Sequence, residues 1–460
     1  MKSQGYKRQL SRRRGMVILW ASIALLFSMV TSTAHAQFGT QGKPALPALT
    51  SFNDTVGDHL IFVGSDFHIH QLLCPVGFNC NSAPSWSKQD LTQMAGAGTT
   101  FGGSGTALSG QITSFHDSNG EHVFFVDIDG LIEHLLSPDG VSWSRQNLGV
   151  GGFCCGLSGY SANGEGTDAS WLYARVFYET TDRHVHMSVS VNGGPFQDSD
   201  LTKNTGLHLA AGDTKFTSFH DSSGEHVFYV GDDSHLHELY GYWTTRTYYI
   251  CNPLTRMCGP VSMTVLNWAD QDPTFLSNGP LVATYKLFGV TTYFNGSLSS
   301  LSNLDGEHAF YVAADMEVHE LNFNGSGWVE ANLTILASAP LPSSSIGPAS
   351  LSDPLGLKVF FIATGADVHE ISTSSMGWSD ADLTLSAVGQ TSPLIYPYPY
   401  CSLSVLSFAP DGRTFESDVF YMGGDGSLHR LAQVSTASLW GSTWYWTISP
   451  WVEVTLISSI

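Results

Sequence analysis

The stretch FTSFHDSSGEHVFYVGDDSHLHELY, residues 216–240, consists of three short apolar-polar runs separated by two turn sequences. The first turn is HDSSG (220–224), and the second is GDD (231–233). Runs of β-branched and aromatic residues bounded by Gly, Asp and Ser are typical of antiparallel hairpins. The stretch therefore predicts a small β-meander.

This pattern recurs along the whole chain. We count seven copies, at residues 49–73, 112–136, 171–189, 216–240, 298–322, 349–372 and 403–432. Most copies are followed by Trp, an acid and Leu-Thr, as in WSKQDLT (86–92), WVEANLT (328–334) and WSDADLT (378–384). Such a unit cannot bury its own faces, so neighbouring units must stack. Seven units of four antiparallel strands predict an all-β fold, a seven-bladed β-propeller, whereas the coils of a linear β-solenoid are about half as long.

The first 36 residues are predicted to be a signal peptide rather than part of the fold. They combine a basic start, an apolar run at 16–30 and the small-x-small site Ala34-His35-Ala36. The alternative is an uncleaved membrane anchor, but the apolar run is short for a bilayer. Residues 37–48 form a lead-in, and 49–460 form a single propeller domain. We expect a secreted or periplasmic protein with no stable membrane insertion after cleavage.

The chain is acidic, with a formal net charge of −21. Residues 1–36 carry six of the 19 Lys and Arg residues and none of the 40 Asp and Glu residues, so the remainder has a charge of −27. No basic patch remains in that remainder. Nucleic acid is therefore not an expected partner.

The cysteines indicate an oxidising compartment. Cys74 and Cys80, and Cys251 and Cys258, are close pairs inside insertions and are predicted to form local disulfides. The sequence leaves the pairing of Cys154, Cys155 and Cys401 open. Insertions at 93–111, 241–267 and 388–401 lengthen the regular unit. Long loops on a rigid scaffold often carry function.

Histidines two residues apart raise the question of a metal site. The pairs are His68/His70, His184/His186 and His235/His237. On a strand, both members of such a pair lie on one face and could share an ion. A zinc site needs three or four ligands, however, and no third ligand is fixed to each pair. We expect no metal and no cofactor.

A second pattern places a basic residue twelve positions before an acid. A hairpin turn centred on Asp232 would put His226 directly opposite Glu238, and His308/Glu320 and Lys358/Glu370 share the offset. The pair could be a structural link worth ~0.5–1 kcal/mol where exposed. Alternatively, it could bind adjacent sugar hydroxyls while a Trp covers the apolar face of the ring. The recurrent tryptophans could equally belong to the core.

The repeat core GxHVFYVGxDxxIHEL, with its trailing Trp, resembles the repeats of the fungal fucose-specific lectins, which are six-bladed propellers. It is also similar to seven-bladed bacterial propeller lectins. In the fucose lectins a basic residue, a Glu on the next strand and an aromatic residue of the neighbouring blade bind the sugar; the basic residue is usually Arg. The resemblance implies three pockets: His226, Glu238 and Trp328; His308, Glu320 and Trp378; and Lys358, Glu370 and an aromatic near Trp444.

The expected function is that of a secreted multivalent carbohydrate-binding protein, with pockets between blades for glycans or glycoconjugates. We expect no enzyme, because the titratable residues recur with the repeat and no GxSxG, HExxH or P-loop motif occurs. One alternative is a protein-interaction propeller that uses aromatic loop residues such as Tyr396, Tyr398 and Tyr400. A less favoured one is a propeller glycoside hydrolase using Asp168 or Glu179.

Overall fold

The computed structural model describes residues 48–457, except 79, 81, 99–111, 152–155, 164–170, 204–207, 213, 252–257, 288–289, 294–297, 344–346, 389–402, 409–413, 424–425 and 441–442. The predicted signal peptide, Cys154, Cys155 and Cys401 lie outside these residues, as do the tyrosines of the 388–401 insertion. All elements described below belong to one compact unit, Ala45–Ile460.

Seven antiparallel sheets, blades 1–7, follow one another along the chain and form a ring. Blade 1 comprises β1 (Leu49–Asn53), β2 (Gly57–Val63), β3 (Ile69–Pro75) and β4 (Ser87–Asp90). Blade 2 comprises β5 (Ile112–Asp117), β6 (Gly120–Val126), β7 (Leu131–Ser137) and β8 (Ser144–Gly151). Blade 3 comprises β9 (Leu157–Asn163), β10 (Leu172–Glu179), β11 (Val185–Val191) and β12 (Gln197–Asp200). Blade 4 comprises β13 (Phe216–His220), β14 (Glu225–Val230), β15 (Leu236–Cys251) and β16 (Cys258–Gln271).

A separate hairpin, β17 (Thr284–Leu287) and β18 (Val290–Tyr293), precedes blade 5. Blade 5 comprises β19 (Leu298–Asn303), β20 (Gly306–Val312), β21 (Val318–Phe323) and β22 (Trp328–Asn332). Blade 6 comprises β23 (Ala349–Asp353), β24 (Gly356–Ile362), β25 (Val368–Ser374) and β26 (Gly377–Asp382). Blade 7 comprises β27 (Ser404–Phe408), β28 (Thr414–Met422), β29 (Leu428–Trp440), β30 (Thr443–Ile448) and β31 (Val452–Ile457). Short helices are α1 (Leu91–Ala95), α2 (Pro273–Ser277), α3 (Leu333–Ala337) and α4 (Leu383–Val388), with a 3₁₀ turn at Ala83–Ser85. The predicted seven-bladed propeller is confirmed.

The ring closes by side-chain contacts between blade 7 and blade 1. In blade 7, β31 pairs with the first part of β29 and supplies the outer strand, while β30 pairs with the second part and extends the hairpin. Every strand of this blade therefore comes from residues 404–457. Ser51 of β1 and Ser404 of β27 then join the two inner strands, with their hydroxyl oxygens 2.7 Å apart.

Hydroxyl groups also join other neighbouring inner strands. Each such bond links Ser or Thr of one blade to Ser of the next, which explains the Thr-Ser and Ser-Ser pairs at the start of the repeat. The pairs are Thr50/Ser114, Ser158/Ser218, Thr217/Ser300 and Ser299/Ser350, with oxygen–oxygen distances between 2.6 and 3.1 Å. These bonds allow polar inner strands to pack side by side.

The turn between the second and third strands corrects the predicted register. Gly231 accepts a hydrogen bond from the backbone N–H of Ser234, and Ser234 has a left-handed φ of 70°. This is a three-residue loop, a tight turn followed by one left-handed residue, and not a turn centred on Asp232. Glu238 therefore lies opposite Phe228, and His226 opposite Tyr240. The shift by two residues keeps His226 and Glu238 on the same face.

The turn between the first and second strands explains the recurrent glycine of the repeat. Gly224 has a φ of 152°, a conformation that residues with a side chain rarely adopt. An added Cβ atom would also lie 2.1 Å from the carbonyl oxygen of Gly241. Gly120, Gly306 and Gly356 have similar φ values, between 128° and 136°.

The tryptophan that follows four of the repeats packs between blades. Its ring meets, edge to face, the phenylalanine of the second strand in the preceding blade. The pairs are Trp86/Phe420, Trp268/Phe177, Trp328/Phe228 and Trp451/Phe360, with ring centroids between 5.9 and 6.1 Å apart. Edge-to-face contacts at this distance are favourable beyond the area they bury. Of the two roles that the sequence left open for these residues, this is the core role.

The residues after the tryptophan cap the short helices. Asp272 accepts a hydrogen bond from the backbone N–H of Phe275 and so begins α2. Two residues later, the hydroxyl of Thr274 accepts the backbone N–H of Leu236, at 3.0 Å. The acid-Leu-Thr signature thus ends the outer strand and ties the helix to the third strand; Asp90, Asn332 and Asp382 act as caps in the same way.

The predicted Cys74–Cys80 disulfide is present. Cys258 is disulfide-bonded and lies opposite Cys251 in the register of β15 and β16. The insertion at 241–267 thus extends the outer hairpin of blade 4 beyond the blade. Within the described residues, no helix has the length and apolar character needed to cross a membrane.

Candidate functional site

The predicted twelve-residue pairs of blades 4 and 5 are in contact. His226 Nδ1 lies 2.6 Å from Glu238 Oε1, and His308 Nδ1 lies 2.7 Å from Glu320 Oε1. Neither pair is directly opposite in the register, because Glu320 faces Phe310 as Glu238 faces Phe228. The contact is diagonal across the hairpin, which is within reach of a long side chain.

The blade 6 pair is arranged differently. Lys358 Nζ lies 2.8 Å from Asp353 Oδ2 and 3.5 Å from the side-chain oxygen of Gln433 in blade 7. Glu370 is opposite Phe360, on the same face of the blade as Lys358. Burial raises the pKa of Glu370, while the nearby charge of Lys358 acts to lower it. The lysine therefore lies at the boundary between blades 6 and 7.

Other blades fill these positions with different polar pairs. His59 lies 2.6 Å from Gln71, His122 lies 2.9 Å from His134, and Asp418 lies 2.8 Å from Arg430. The twelve-residue offset thus places two polar groups in contact even where their charges change. Aromatic residues of the first strand cover several of these histidines: Phe52, Phe115 and Phe219 stack on His59, His122 and His226, with centroids between 4.5 and 4.9 Å apart.

Interblade acids are the functional side chains that the sequence analysis missed. Glu121, Glu225 and Glu307 each stand immediately before the basic position of their repeat. Alternation along a strand turns each of them toward the preceding blade. Glu225 Oε1 forms an ion pair with Nη2 of Arg175 in blade 3, at 2.9 Å. Glu307 Oε2 lies 3.3 Å from Nδ1 of His226 in blade 4. The recurrent Gly-Glu-His could have revealed them.

The cluster between blades 4 and 5 is buried and charged. Burial lowers the pKa of His226, but hydrogen bonds to Asp221 and Glu238 and the charge of Glu307 outweigh it and raise that pKa to about 9. Burial also raises the pKa of Glu307 to about 7. His226 is 0% exposed and Glu238 is 1% exposed. The carboxylate of Glu307 lies beside this buried pair, in contact with His226.

The next two blade boundaries lack the interblade acid. Leu357 holds this position in blade 6, and Ser417 holds it in blade 7, where its hydroxyl donates to Asp353, the partner of Lys358. The side chain of Leu357 has no polar atom. These two predicted sites are therefore not closed by a carboxylate of the following blade.

Two buried carboxylate oxygens in these sites lack a hydrogen-bond donor within the described part of the chain. They are Oε2 of Glu238 and Oε2 of Glu370. Buried polar atoms without a partner are costly, because they lose their hydration without replacement.

The predicted aromatic partners lie in three different environments. Trp328 is 7% exposed, and its Nε1 donates to Gln271 at 3.2 Å, so it belongs to the boundary between blades 4 and 5. Trp378 is half-buried against the cluster that includes Phe310. The backbone of Trp444 lies in β30 opposite Leu439, and its side chain is outside the described part of the structure.

A second recurring ion pair lies on the other face of the third strand. The histidine immediately before the second member of the twelve-residue pair contacts the acid of the outer strand. The pairs are His186/Asp198, His319/Glu330, His369/Asp380 and His429/Glu453, with nitrogen–oxygen distances between 2.6 and 3.1 Å. In blade 2 the charges are exchanged, and Arg145 binds Glu133. This recurrence, with either polarity, is typical of a structural link between strands.

Of the two acids considered for a hydrolase, Glu179 is fully buried at the end of β10. Asp168 is outside the described residues.

No family model matches the sequence, and no curated protein matches it. Similar solved structures include AofleA from Arthrobotrys oligospora, with 14% identity and a TM-score of 0.42 over 76% of this chain and 90% of that one. The six-bladed fucose-recognising lectin of Aleuria aurantia has 14% identity and a TM-score of 0.42 over 75% and 95%. The sialidase of Trypanosoma rangeli has 11% identity and a TM-score of 0.36 over 74% and 55%. The predicted likeness to fungal fucose-specific lectins is thus found among solved structures, and at these identities it concerns the propeller fold.

Proposed function

We propose that this protein is a secreted, non-enzymatic, multivalent carbohydrate-binding protein whose pockets lie at the blade boundaries. The observation that carries the proposal is the recurring contact between a cation and a carboxylate, in His226/Glu238 and His308/Glu320, together with the buried Oε2 of Glu370, which lacks a donor among the described residues. A sugar presents adjacent hydroxyls that donate to a carboxylate and accept from a cation, which matches this pair.

The boundaries between blades 5 and 6 and between blades 6 and 7 are the favoured pockets. The first would use His308, Glu320 and Trp378, and the second Lys358 with Glu370; the side chain of Trp444, predicted as the aromatic partner there, is outside the described residues. At both boundaries the repeat position of the interblade acid is filled by Leu357 or Ser417, whereas Glu307 already contacts His226 at the boundary between blades 4 and 5. The His226, Glu238 and Trp328 pocket would open only after Glu307 moves.

Export fits the same proposal. Residues 1–36 have the pattern of a cleaved signal peptide, and the Cys74–Cys80 disulfide is suited to an oxidising compartment. Several weak sites on one ring would act on clustered glycans by avidity, which multiplies the affinity of single sites without new contacts.

A glycan array with the mature chain tests the proposal, together with the double variant Glu320→Gln/Glu370→Gln. Removing a charged acceptor costs about 1.5–3 kcal/mol, so we expect roughly 10- to 100-fold weaker binding per affected site. Glutamine keeps the shape of each side chain and limits the effect on folding.

The matched control is Glu330→Gln/Asp380→Asn. It removes two carboxylates that also bind histidines of blades 5 and 6, but on the opposite face of each blade. Selective binding that is lost only in the Glu320/Glu370 variant supports both function and pockets. Equal binding by all variants overturns the pockets, and a folded chain that binds no glycan overturns the function in favour of a protein partner.

A further inference from the structure

One histidine outside the repeat lies against a histidine–aspartate pair of blade 4. His237 Nε2 lies 3.2 Å from Asp233 Oδ1 and 3.3 Å from Oδ2. His208, from the segment before β13, places its Nδ1 3.7 Å from the same Asp233 Oδ2. The two imidazole centroids are 4.8 Å apart. Two histidines thus converge on one carboxylate.

The repeat itself shows what His208 adds. The backbone N–H after the second strand binds the carbonyl of Leu209 in blade 4, of Leu281 in blade 5 and of Leu341 in blade 6, at 2.9–3.0 Å. The residue before these leucines is His208 in blade 4 and proline, Pro280 or Pro340, in the other two. The carbonyls of His208 and Pro280 also accept equivalent tyrosine hydroxyls, at 3.1 and 3.0 Å. An imidazole therefore replaces a proline at one structurally equivalent position.

Blade 5 shows the same pair without the added imidazole. There His319 Nε2 lies 3.1 Å from Asp315 Oδ2, and Pro280 occupies the equivalent of His208. A histidine–aspartate pair alone is explained as a strand link. The imidazole of His208, which lies beside this pair only in blade 4 among the two blades compared, is not explained by a strand link.

The surroundings of His237 have the arrangement of a metal ligand. Its Nδ1 lies 3.5 Å from Asp270 Oδ1, on the side away from Asp233, and the residue is 1% exposed. A ligating histidine commonly has its other ring nitrogen oriented by a carboxylate. The backbone N–H of His235 binds Asp233 Oδ1 at 3.0 Å and fixes that carboxylate.

The distances suit a zinc-sized ion. Zn²⁺ binds nitrogen and oxygen ligands at about 2.0–2.2 Å, so tetrahedral ligand atoms lie roughly 3.3–3.5 Å apart. Ligand atoms of His208, His237 and Asp233 all lie within 4.8 Å of one another, with separations of 3.2 and 3.7 Å to the carboxylate. Asp232 is already 3.4 Å from Arg183, which leaves three ligands.

We propose that His208, His237 and Asp233 form a Zn²⁺ site with one position open to water, and that Asp270 orients His237. The site would hold the segment before β13 against the turn of blade 4. Because the His208 side chain is 53% exposed, the ion can enter from solvent without a change in the core.

Isothermal titration of the untagged, chelator-treated chain with ZnCl₂ tests the site. We expect His208→Pro, which restores the residue of blades 5 and 6, to lose one equivalent of bound zinc while keeping the fold. His319→Ala, in the pair of blade 5, should keep that equivalent. Asp270→Asn should weaken binding about 10- to 100-fold without removing a ligand.

Cobalt provides a second readout, because Co²⁺ in a tetrahedral site of nitrogen and oxygen ligands absorbs visible light. We expect that absorption in the unsubstituted chain and in His319→Ala, and not in His208→Pro. An unsubstituted chain that binds no zinc, or a His208→Pro variant with unchanged stoichiometry, overturns the proposal.

Discussion

Replacing Arg430 by methionine is expected to destabilise the ring by about 3–5 kcal/mol, because it breaks a buried network of charges. Arg430 is 0% exposed and contacts Asp418 at 2.8 Å and Glu416 at 2.5 Å. Its Nη1 also donates to the carbonyl of Cys80 in blade 1, at 3.0 Å. The substitution thus removes a bond across the closure and leaves two carboxylates without their cation. Urea denaturation followed by tryptophan fluorescence measures the loss.

The loss should be smaller in acid. Burial raises the pKa of Asp418 against the opposing charge of Arg430, so acid protonates this carboxyl early and reduces the charge left unpaired in the variant. Arg246, an exposed residue in the extended hairpin of blade 4, is the matched control. Arg246→Met should change stability by less than about 0.5 kcal/mol. Similar stability of both variants at neutral pH would contradict the role assigned to Arg430.

Stability is expected to fall as the pH rises from 6.5 to 9, because two buried histidines hold their protons only in the folded chain. The pKa of His226 is raised to about 9, as described above. For His59, burial acts to lower the pKa, but bonds to Asp54 and Glu121 raise it to about 9. Because the pKa of each histidine is higher in the folded chain than in the unfolded one, its proton stabilises the fold fully below about pH 6.5. This stabilisation is lost as the pH rises through about 9. Each histidine contributes on the order of 2–3 kcal/mol.

Urea midpoints measured from pH 6 to 9.5 check this dependence. The double variant His226→Gln/Glu238→Gln removes a proton-binding site together with its partner, so its pH dependence should be flatter. His134 provides the control: burial lowers its pKa to about 3, so it is neutral in the folded chain across this range, and in the unfolded chain, where its pKa is about 6.5, it is also neutral above about pH 7.5. His134→Gln should therefore keep the slope above about pH 7.5. Stability that is flat or rising above pH 6.5 would contradict the assignment.

The number of blades could be predicted from the sequence because several independent signals recur with the same period. Period-two runs, turn residues and the trailing Trp-acid-Leu-Thr all agree, and each has a local physical role in the structure. Gly224 is needed for its positive φ, and Asp272 and Thr274 are needed as caps. Local signals of this kind can be read without knowing the neighbouring blade.

The register of the hairpin was harder to predict. Gly231, Asp232, Asp233 and Ser234 suit a three-residue loop at 231–233 and one at 232–234 equally well, and only the left-handed Ser234 distinguishes them. Because the shift is an even number of residues, the predicted His226 and Glu238 still meet. The prediction that His226 and Glu238 share one face of the blade was correct, but the prediction that they lie directly opposite each other was wrong.

The contacts between blades were the least accessible to sequence reasoning. Whether Trp328 covers a ligand or Phe228 depends on the spacing of two blades, which the repeat pattern does not contain. The interblade acid Glu307 was missed for a related reason: the alternation was applied to the residues of one blade and not to the face turned toward its neighbour. A site at a blade boundary can be predicted only when the facing residues of both blades are considered together.

The way in which blade 7 is completed has a consequence for the history of the chain. Since each described blade takes all four of its strands from one continuous segment, a single tandem duplication inserts a whole blade without breaking another. A deletion of the same length removes one cleanly. Rings closed by a strand borrowed from the other terminus lack this freedom, because a change at one end must match the other. Blade number in relatives of this chain is therefore free to vary by whole units.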